Sequence, residues 1–230
     1  MQLYEQLSQL TAADREYLLA APAIQRCLAG NVTRDLYVAF LAQAYHHVRH
    51  TVPLLMAVGS RLPDRHSSLR NDILHYLEEE TGHEQWILND IEHAGGNRAA
   101  AAASQPAIAT EAMVAYAYDM VMRRNPVGFF GMVYVLEGTS VAIALRAADR
   151  IQESLHLPAQ AFSYLRSHGE LDKEHVHHLA GILARLDQDE DREAVVRCAR
   201  AMFWLYGNVF RSLDVEATCA APTDAMRRSA

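Results

Sequence analysis

Histidine and aspartate side chains recur at helical spacing between positions 168 and 175. The pattern is His168-x3-Asp172-x2-His175, and it lies within an apolar stripe that runs from Leu165 to Ile182. Residues three and four apart share one face of a helix. Three such groups on a core-facing stripe are difficult to satisfy by hydrogen bonds within a protein. We therefore interpret this motif as a set of metal ligands.

A second pair, Glu80-x2-His83, continues the apolar stripe of an earlier predicted helix. Tyr76 precedes the pair on that stripe and Ile87 follows it, so both polar residues occupy core positions. A charged surface turn with an incidental histidine explains this pair alone equally well. The neighbouring Glu79 lies off the stripe and remains an alternative to Glu80 as a ligand.

Glu137 is the only charged residue between Val127 and Leu145. A buried carboxylate must be protonated and hydrogen-bonded, paired with a charge or bound to a cation. Taken alone, Glu137 fits a protonated, hydrogen-bonded acid as well as it fits a ligand. The segment is long enough to span a bilayer, but an ionised group at its centre is costly in lipid. We predict a buried core helix here and no membrane span.

Together these motifs place three carboxylates and three imidazoles on the inner faces of three predicted helices. Such a mixed oxygen and nitrogen donor set suits iron or manganese better than zinc. Helical bundles with inward Glu and Glu-x-x-His groups hold carboxylate-bridged dimetal centres. We predict two irons, with manganese as an alternative metal, a bridging Glu137, and Glu137 and His175 as catalytic residues. The predicted ligands are Glu80, His83, Glu137, His168, Asp172 and His175.

The elements that must position these residues are predicted to be helices throughout. Half of the residues are hydrophobic, and seven prolines and eleven glycines interrupt the chain so rarely that long helices are expected. We predict an all-α bundle of seven helices in a single domain over 1–213, with a loose tail over 214–230. One predicted helix runs from Thr33 to Ser60 with a bend at Pro53, and another has a kink at Gly169.

Charge and cysteine content exclude several functional classes. The formal net charge of −7 and the lack of a basic run argue against nucleic-acid binding. The first residues do not resemble a secretory signal, and three widely spaced cysteines do not suggest a disulfide framework. We therefore expect a cytoplasmic protein.

A substrate cavity should lie near the metals, lined by polar side chains that interrupt apolar stripes. Hydrogen bonds between packed helices are the alternative explanation for each of these side chains. Arg49 could anchor a substrate carboxylate if it turns inward. The predicted substrate-binding residues are Gln43, His47, His50, Tyr134 and Tyr206.

The combined ligand pattern resembles that of the haem-oxygenase-like diiron oxidases. These share a seven-helix haem-oxygenase-like fold with thiaminase II and the pyrroloquinoline-quinone synthase, and the resemblance covers about Leu18 to Phe210. The first motif is most similar to the branch of the undecene-forming fatty-acid decarboxylase, which has a Glu three residues before the His. Many other members have that Glu seven residues before the His, where this chain has Tyr76.

The resemblance implies an O₂-dependent non-haem diiron oxidoreductase that is loaded with Fe(II). Its substrate would be a small amine-, amino-acid- or fatty-acid-like molecule, with an external electron donor and a homodimeric assembly. Two alternatives remain open. One is a metal-free member of the same fold, acting as a thiaminase-like hydrolase or a cofactor-biosynthesis enzyme, and the other is a helical interaction or regulatory protein.

Overall fold

The computed structural model describes residues 3–219, except the side chains of residues 170, 171, 173 and 214–219, and this part of the chain has no β-strand. The described residues form twelve α-helices, so the predicted all-α class is confirmed while the predicted number of seven is too small. The helices are α1 (Leu3–Leu10), α2 (Ala12–Leu19), α3 (Pro22–Leu28), α4 (Arg34–Val48), α5 (Thr51–Arg61), α6 (Leu69–Glu80), α7 (His83–His93), α8 (Arg98–Ala103), α9 (Ile108–Arg123), α10 (Phe129–Leu155), α11 (Ser163–Ala184) and α12 (Asp189–Cys219).

Helix α10 lies at the centre of the bundle and packs most extensively against α11 and α12. Its first turns are almost continuously buried, with Phe130 and Val135 fully covered. The segment Pro126–Leu155 is long and apolar enough to cross a membrane by length and composition, and 67% of its most apolar window is buried within the bundle. Apolar burial on several sides of α10 is what holds the helix in the core.

The predicted helix from Thr33 to Ser60 is divided into α4 and α5. Thr33 caps α4 as expected, since its side-chain oxygen accepts a hydrogen bond from the Leu36 N–H at 3.2 Å. The break comes before Pro53, which therefore lies in the first turn of α5. A proline is tolerated there because first-turn N–H groups have no partner within the helix.

A second division separates the two residues of the Glu80-x2-His83 motif. Helix α6 ends at Glu80 and α7 begins at His83, with Gly82 between them at a φ of 95°. Only glycine adopts this left-handed conformation at little cost. The turn keeps Glu80 and His83 adjacent although they belong to different helices.

The predicted kink at Gly169 is absent, since α11 is continuous across it. A Cβ atom at this position would lie 2.7 Å from Leu145 Cγ on α10, closer than side-chain carbons can approach. Gly169 therefore serves the close packing of α10 against α11. Helix α12 extends to Cys219, six residues beyond the predicted end of the domain, and the rest of the predicted tail lies outside the described residues.

Replacement of Gly82 by alanine should destabilise the protein, because an L-residue at this φ costs about 1–2 kcal/mol. The free energy of unfolding from urea titration would measure the loss. Gly181 is the matched control, since it is exposed within α11 and a Cβ there would meet no atom within 4 Å. Gly181→Ala should be neutral or stabilising. Equal stability of the two variants would contradict this account of the turn.

Candidate metal centre

The six predicted ligands lie together in the interior, carried by four helices. Glu80 comes from the end of α6, His83 from the start of α7 and Glu137 from the middle of α10. His168, Asp172 and His175 project from one face of α11, as their spacing predicts. All except the partly exposed His168 are buried.

One group of ligands is formed by Glu80, His83 and His168. One ligand atom of each residue lies within 4.8 Å of those of the other two. His83 Nδ1 is 3.1 Å from Glu80 Oε2. The His83 ring stacks on Trp86 with centroids 4.0 Å apart and meets the His168 ring edge to face at 4.8 Å. These ring contacts hold both imidazoles in place.

A second group is formed by Glu137, Asp172 and His175. His175 Nδ1 lies 3.3 Å from Asp172 Oδ1 and 3.5 Å from Glu137 Oε1. The groups are connected, because His168 Nδ1 lies 3.5 Å from the same Asp172 oxygen. The six residues thus lie side by side, although four helices carry them where the sequence pattern predicts three.

Several polar atoms of these residues are buried without a hydrogen-bond partner in the described part of the structure. A buried polar atom left unpaired costs about 1–3 kcal/mol, and more when it is charged. A multivalent cation between the two groups would satisfy these atoms simultaneously. The unpaired ligand atoms are Glu137 Oε2, His168 Nε2, Asp172 Oδ1 and His175 Nδ1.

The titration behaviour reflects this crowding of acids. Burial raises the pKa of Glu137 well above its ordinary value, and the charges of Asp172 and Glu80 raise it further. Burial also raises the pKa of Asp172, but its contacts with His168 and His175 outweigh that effect and leave the pKa lowered. Burial lowers the pKa of His175, and the contact with Asp172 more than compensates, so the net shift is upward. These opposed shifts arise because several acids and imidazoles share one buried site.

The structure distinguishes Glu79 from Glu80 as candidates for the first ligand. Glu80 is buried and belongs to the group with His83 and His168. Glu79 is partly exposed, and its Oε2 lies 2.9 Å from His175 Nε2. The other ring nitrogen, Nδ1, faces Asp172 and Glu137. Glu80 is therefore the better-placed ligand.

A cavity of about 160 Å³ adjoins the site. Glu80, Glu137, His168 and Asp172 form part of its wall, and most of the remaining wall is apolar. The residues that line it come mainly from α3, α4, α5, α6, α10, α11 and α12. None of the described residues that line it is a lysine or an arginine.

Two of the five predicted substrate-binding residues line this cavity, His47 and Tyr206. Gln43 instead accepts hydrogen bonds from the Ala107 N–H at 2.9 Å and from the Thr110 hydroxyl at 2.7 Å. The side chain of Gln43 therefore faces the core to hydrogen-bond to α9 and the residue before it, and it does not line the cavity.

The other two predicted residues also point elsewhere. His50 Nδ1 contacts the Tyr118 hydroxyl at 3.2 Å. Tyr134 packs edge to face against Tyr4 of α1, with centroids 5.4 Å apart. Arg49 is exposed over the Tyr45 ring and does not turn inward.

The cavity wall also contains polar residues that were not predicted from the sequence to line it. Tyr76 is fully buried, and its hydroxyl has no hydrogen-bond partner among the described residues. Its ring centre lies 5.6 Å from that of His175. The signal was available in the sequence, since Tyr76 precedes Glu80 by one helical turn. Ser140, one turn after Glu137, also lines the cavity.

A sequence profile described as "iron-containing redox enzyme" matches residues 38–207. No functionally curated protein matches the chain significantly.

Three similar solved structures illustrate the fold. A domain of unknown function with a haem-oxygenase-like fold from Shewanella denitrificans is 24% identical, with a TM-score of 0.86, covering 100% of this chain and 99% of its own. A TenA homologue from P. horikoshii is 11% identical, with a TM-score of 0.74 and coverages of 93% and 98%. Haem oxygenase-1 from the cyanobacterium Synechocystis, solved with haem, is 14% identical, with a TM-score of 0.74 and coverages of 96% and 96%. The predicted haem-oxygenase-like fold is confirmed.

The buried His47 should make the protein sensitive to acid. Burial and then the nearby His168 lower its pKa to about 3 from 6.5. Below pH 6.5 the unfolded chain therefore binds a proton that the folded chain does not, and stability falls as the pH drops towards 3. At pH 5 this loss is about 2 kcal/mol.

Urea unfolding of metal-free His47→Gln should show a correspondingly smaller loss of stability between pH 7 and pH 5. The exposed His177 provides the control variant, His177→Gln, which should lose as much as the unmodified chain. An equal loss in both variants would exclude His47 as the source.

Proposed function

Because the chain belongs to the family of iron-containing redox enzymes, we propose that it is a non-haem diiron oxidase that uses O₂ to oxidise a small substrate with an apolar body. The observation that carries the proposal is the pair of linked ligand groups beside an apolar cavity. Glu80, His83 and His168 would hold one iron, and Asp172 and His175 the other. Glu137, whose second oxygen has no hydrogen-bond partner among the described residues, would lie between them.

Bound iron would supply the electrons that reduce O₂, and the protein's own residues supply the environment. The apolar wall excludes water, which strengthens electrostatic interactions and protects reactive species from side reactions. The phenol of Tyr76 remains protonated, because burial and the charge of Glu137 raise its pKa. It can therefore donate a hydrogen bond into the site. An external electron donor would restore the reduced state after turnover.

The lining of the cavity supports one substrate class over the others. A free amino acid carries two charged groups, and no described lysine or arginine in the wall could pair with its carboxylate. A fatty acid or an alkylamine has a single polar end, which could lie at the ligands while the chain occupies the apolar region. Burial of each methylene contributes about 0.8 kcal/mol.

A haem-binding role fits the same wall poorly. Haem carries two propionates, which need cationic or hydrogen-bonding partners, and the described wall presents carboxylates instead.

The thiaminase-like form of the metal-free alternative would use a cysteine nucleophile. Cys27 lines the cavity, and its position there is the observation that supports this alternative. However, burial raises the pKa of the Cys27 thiol to about 11, so the reactive thiolate is scarce at neutral pH. Cys198 is buried away from the cavity wall. Full activity in the presence of a strong chelator, lost in Cys27→Ser, would establish the alternative.

Anaerobic titration with Fe(II) tests the metal centre. The unmodified chain should bind two irons, and subsequent exposure to O₂ should produce an iron-dependent change in absorbance. His168→Ala should lose at least one iron, because it removes a ligand of the first group. His177→Ala, from the exposed face of the same helix, should bind as the unmodified chain does. The same titration with Mn(II) would show whether manganese competes. A chain that binds no iron would refute the proposal.

Narrowing of the cavity tests the substrate class. Ala144 is buried in the wall, and Ala142 is exposed on the same helix. Ala144→Trp should weaken the binding of long-chain fatty acids at least about tenfold, the equivalent of roughly two buried methylenes. Short chains should be affected less, and Ala142→Trp should bind both as the unmodified chain does. Displacement of a fluorescent fatty acid measures the affinities. Tighter binding of free amino acids than of alkyl chains would contradict the proposed class.

A further inference from the structure

The two ring nitrogens of His175 have different surroundings. Nε2 lies 2.9 Å from Glu79 Oε2 and is hydrogen-bonded to it. Nδ1 is buried and makes no hydrogen bond to the described residues, although oxygens of Asp172 and Glu137 lie 3.3 and 3.5 Å away. Glu79 thus contacts the ring on the side that faces away from the other acids.

This arrangement selects one tautomer of the neutral ring. A carboxylate oxygen accepts, so the hydrogen lies on Nε2 and the lone pair on Nδ1. That lone pair is directed towards oxygens of Asp172 and Glu137, which repel it unless a cation or a proton lies between them. The assignment follows from the hydrogen-bond partners on each side of the ring.

Glu79 is itself held in place by its own helix. His75 lies four residues earlier on α6, and its Nε2 is 3.3 Å from the same Glu79 oxygen. The carboxylate therefore receives contacts from His75 on its outer side and from His175 on its inner side. Glu78, by contrast, is exposed.

We propose that Glu79 is a positioning residue that fixes the Nε2–H tautomer of His175 and so directs Nδ1 to the metal. The proposal deepens the proposed function, since the metal that it concerns is the iron of that site. Outer carboxylates of this kind orient a ligating histidine and increase its basicity. Glu79 is assigned no direct bond to metal or substrate.

The first test reads the tautomer in the metal-free chain and does not depend on iron. Protein labelled with ¹⁵N at histidine would be examined by two-bond ¹H–¹⁵N correlation spectra at the alkaline end of a titration, where the ring is neutral. The His175 signals are assigned by their loss in His175→Gln. The unmodified chain and Glu78→Ala should show the Nε2–H form, whereas Glu79→Ala should show a mixture or the Nδ1–H form. An unchanged tautomer in Glu79→Ala would overturn the proposal.

The second test measures Fe(II) affinity anaerobically against a competing chelator. Glu79→Ala should bind Fe(II) about 10–100-fold more weakly at one site, with unchanged stoichiometry at saturation. Glu79→Gln should recover part of the affinity, because its amide oxygen still accepts from Nε2 but carries no charge. Glu78→Ala should bind as the unmodified chain does. If Glu79→Ala instead lost one iron even at saturation, Glu79 would be a ligand and the positioning role would be wrong.

The two tests separate this inference from the proposed function. If the unmodified chain bound no Fe(II), the proposed function would fail, while a tautomer that still depended on Glu79 would support the positioning role. If the chain bound two irons and Glu79→Ala changed neither tautomer nor affinity, only the positioning role would fail. Far-ultraviolet circular dichroism of each variant verifies that the fold is retained.

Discussion

Acids and imidazoles buried without adequate partners are the constraint on which the rest of this structure depends. Each unpaired group costs free energy in the folded state, and the low polarity of the cavity wall increases that cost. The same low polarity increases the attraction between these groups and a cation. Glu137 illustrates the cost of burial, since its carboxyl projects from α10 into the core of the bundle and its pKa is raised by burial and by neighbouring acids. A site of this kind is poorly satisfied by protons and well satisfied by metal.

The bundle must therefore hold four helices in register against the tendency of these groups to separate. It does so through apolar packing rather than through the site itself. Helix α10 is embedded against α11 and α12, and Gly169 lets α11 approach α10 closely beside the ligands. Gly82 turns the chain so that Glu80 and His83 remain neighbours across a helix break. The unpaired buried groups are tolerated because the surrounding apolar core supplies the stability that they cost.

Helical periodicity was sufficient to predict which acids and imidazoles lie together in the interior, because a polar residue on an apolar stripe is covered wherever the helix packs. It predicted Glu137 and the three α11 residues in this way. It could not predict the break at Gly82, since a left-handed φ is one of several conformations open to glycine. Nor could it assign Gln43 and His50, whose partners Thr110 and Tyr118 come from a helix distant in sequence. A stripe indicates that a side chain is covered, but not what covers it.

The fold of this chain and its chemistry depend on different residues, since apolar side chains maintain the fold and a few buried polar side chains determine the chemistry. Structures with 11% and 14% identity share the helical frame, among them a TenA homologue and a haem oxygenase. Since apolar packing maintains the frame, many sequences satisfy it, and a likeness in fold does not identify a reaction. The chemistry depends on which few core positions carry polar groups. In this chain those positions carry carboxylates and imidazoles that face one another, and His47 and Tyr76 extend the polar part of the wall. The rest of the wall is apolar, so a substrate would be recognised there by the shape and length of its apolar body.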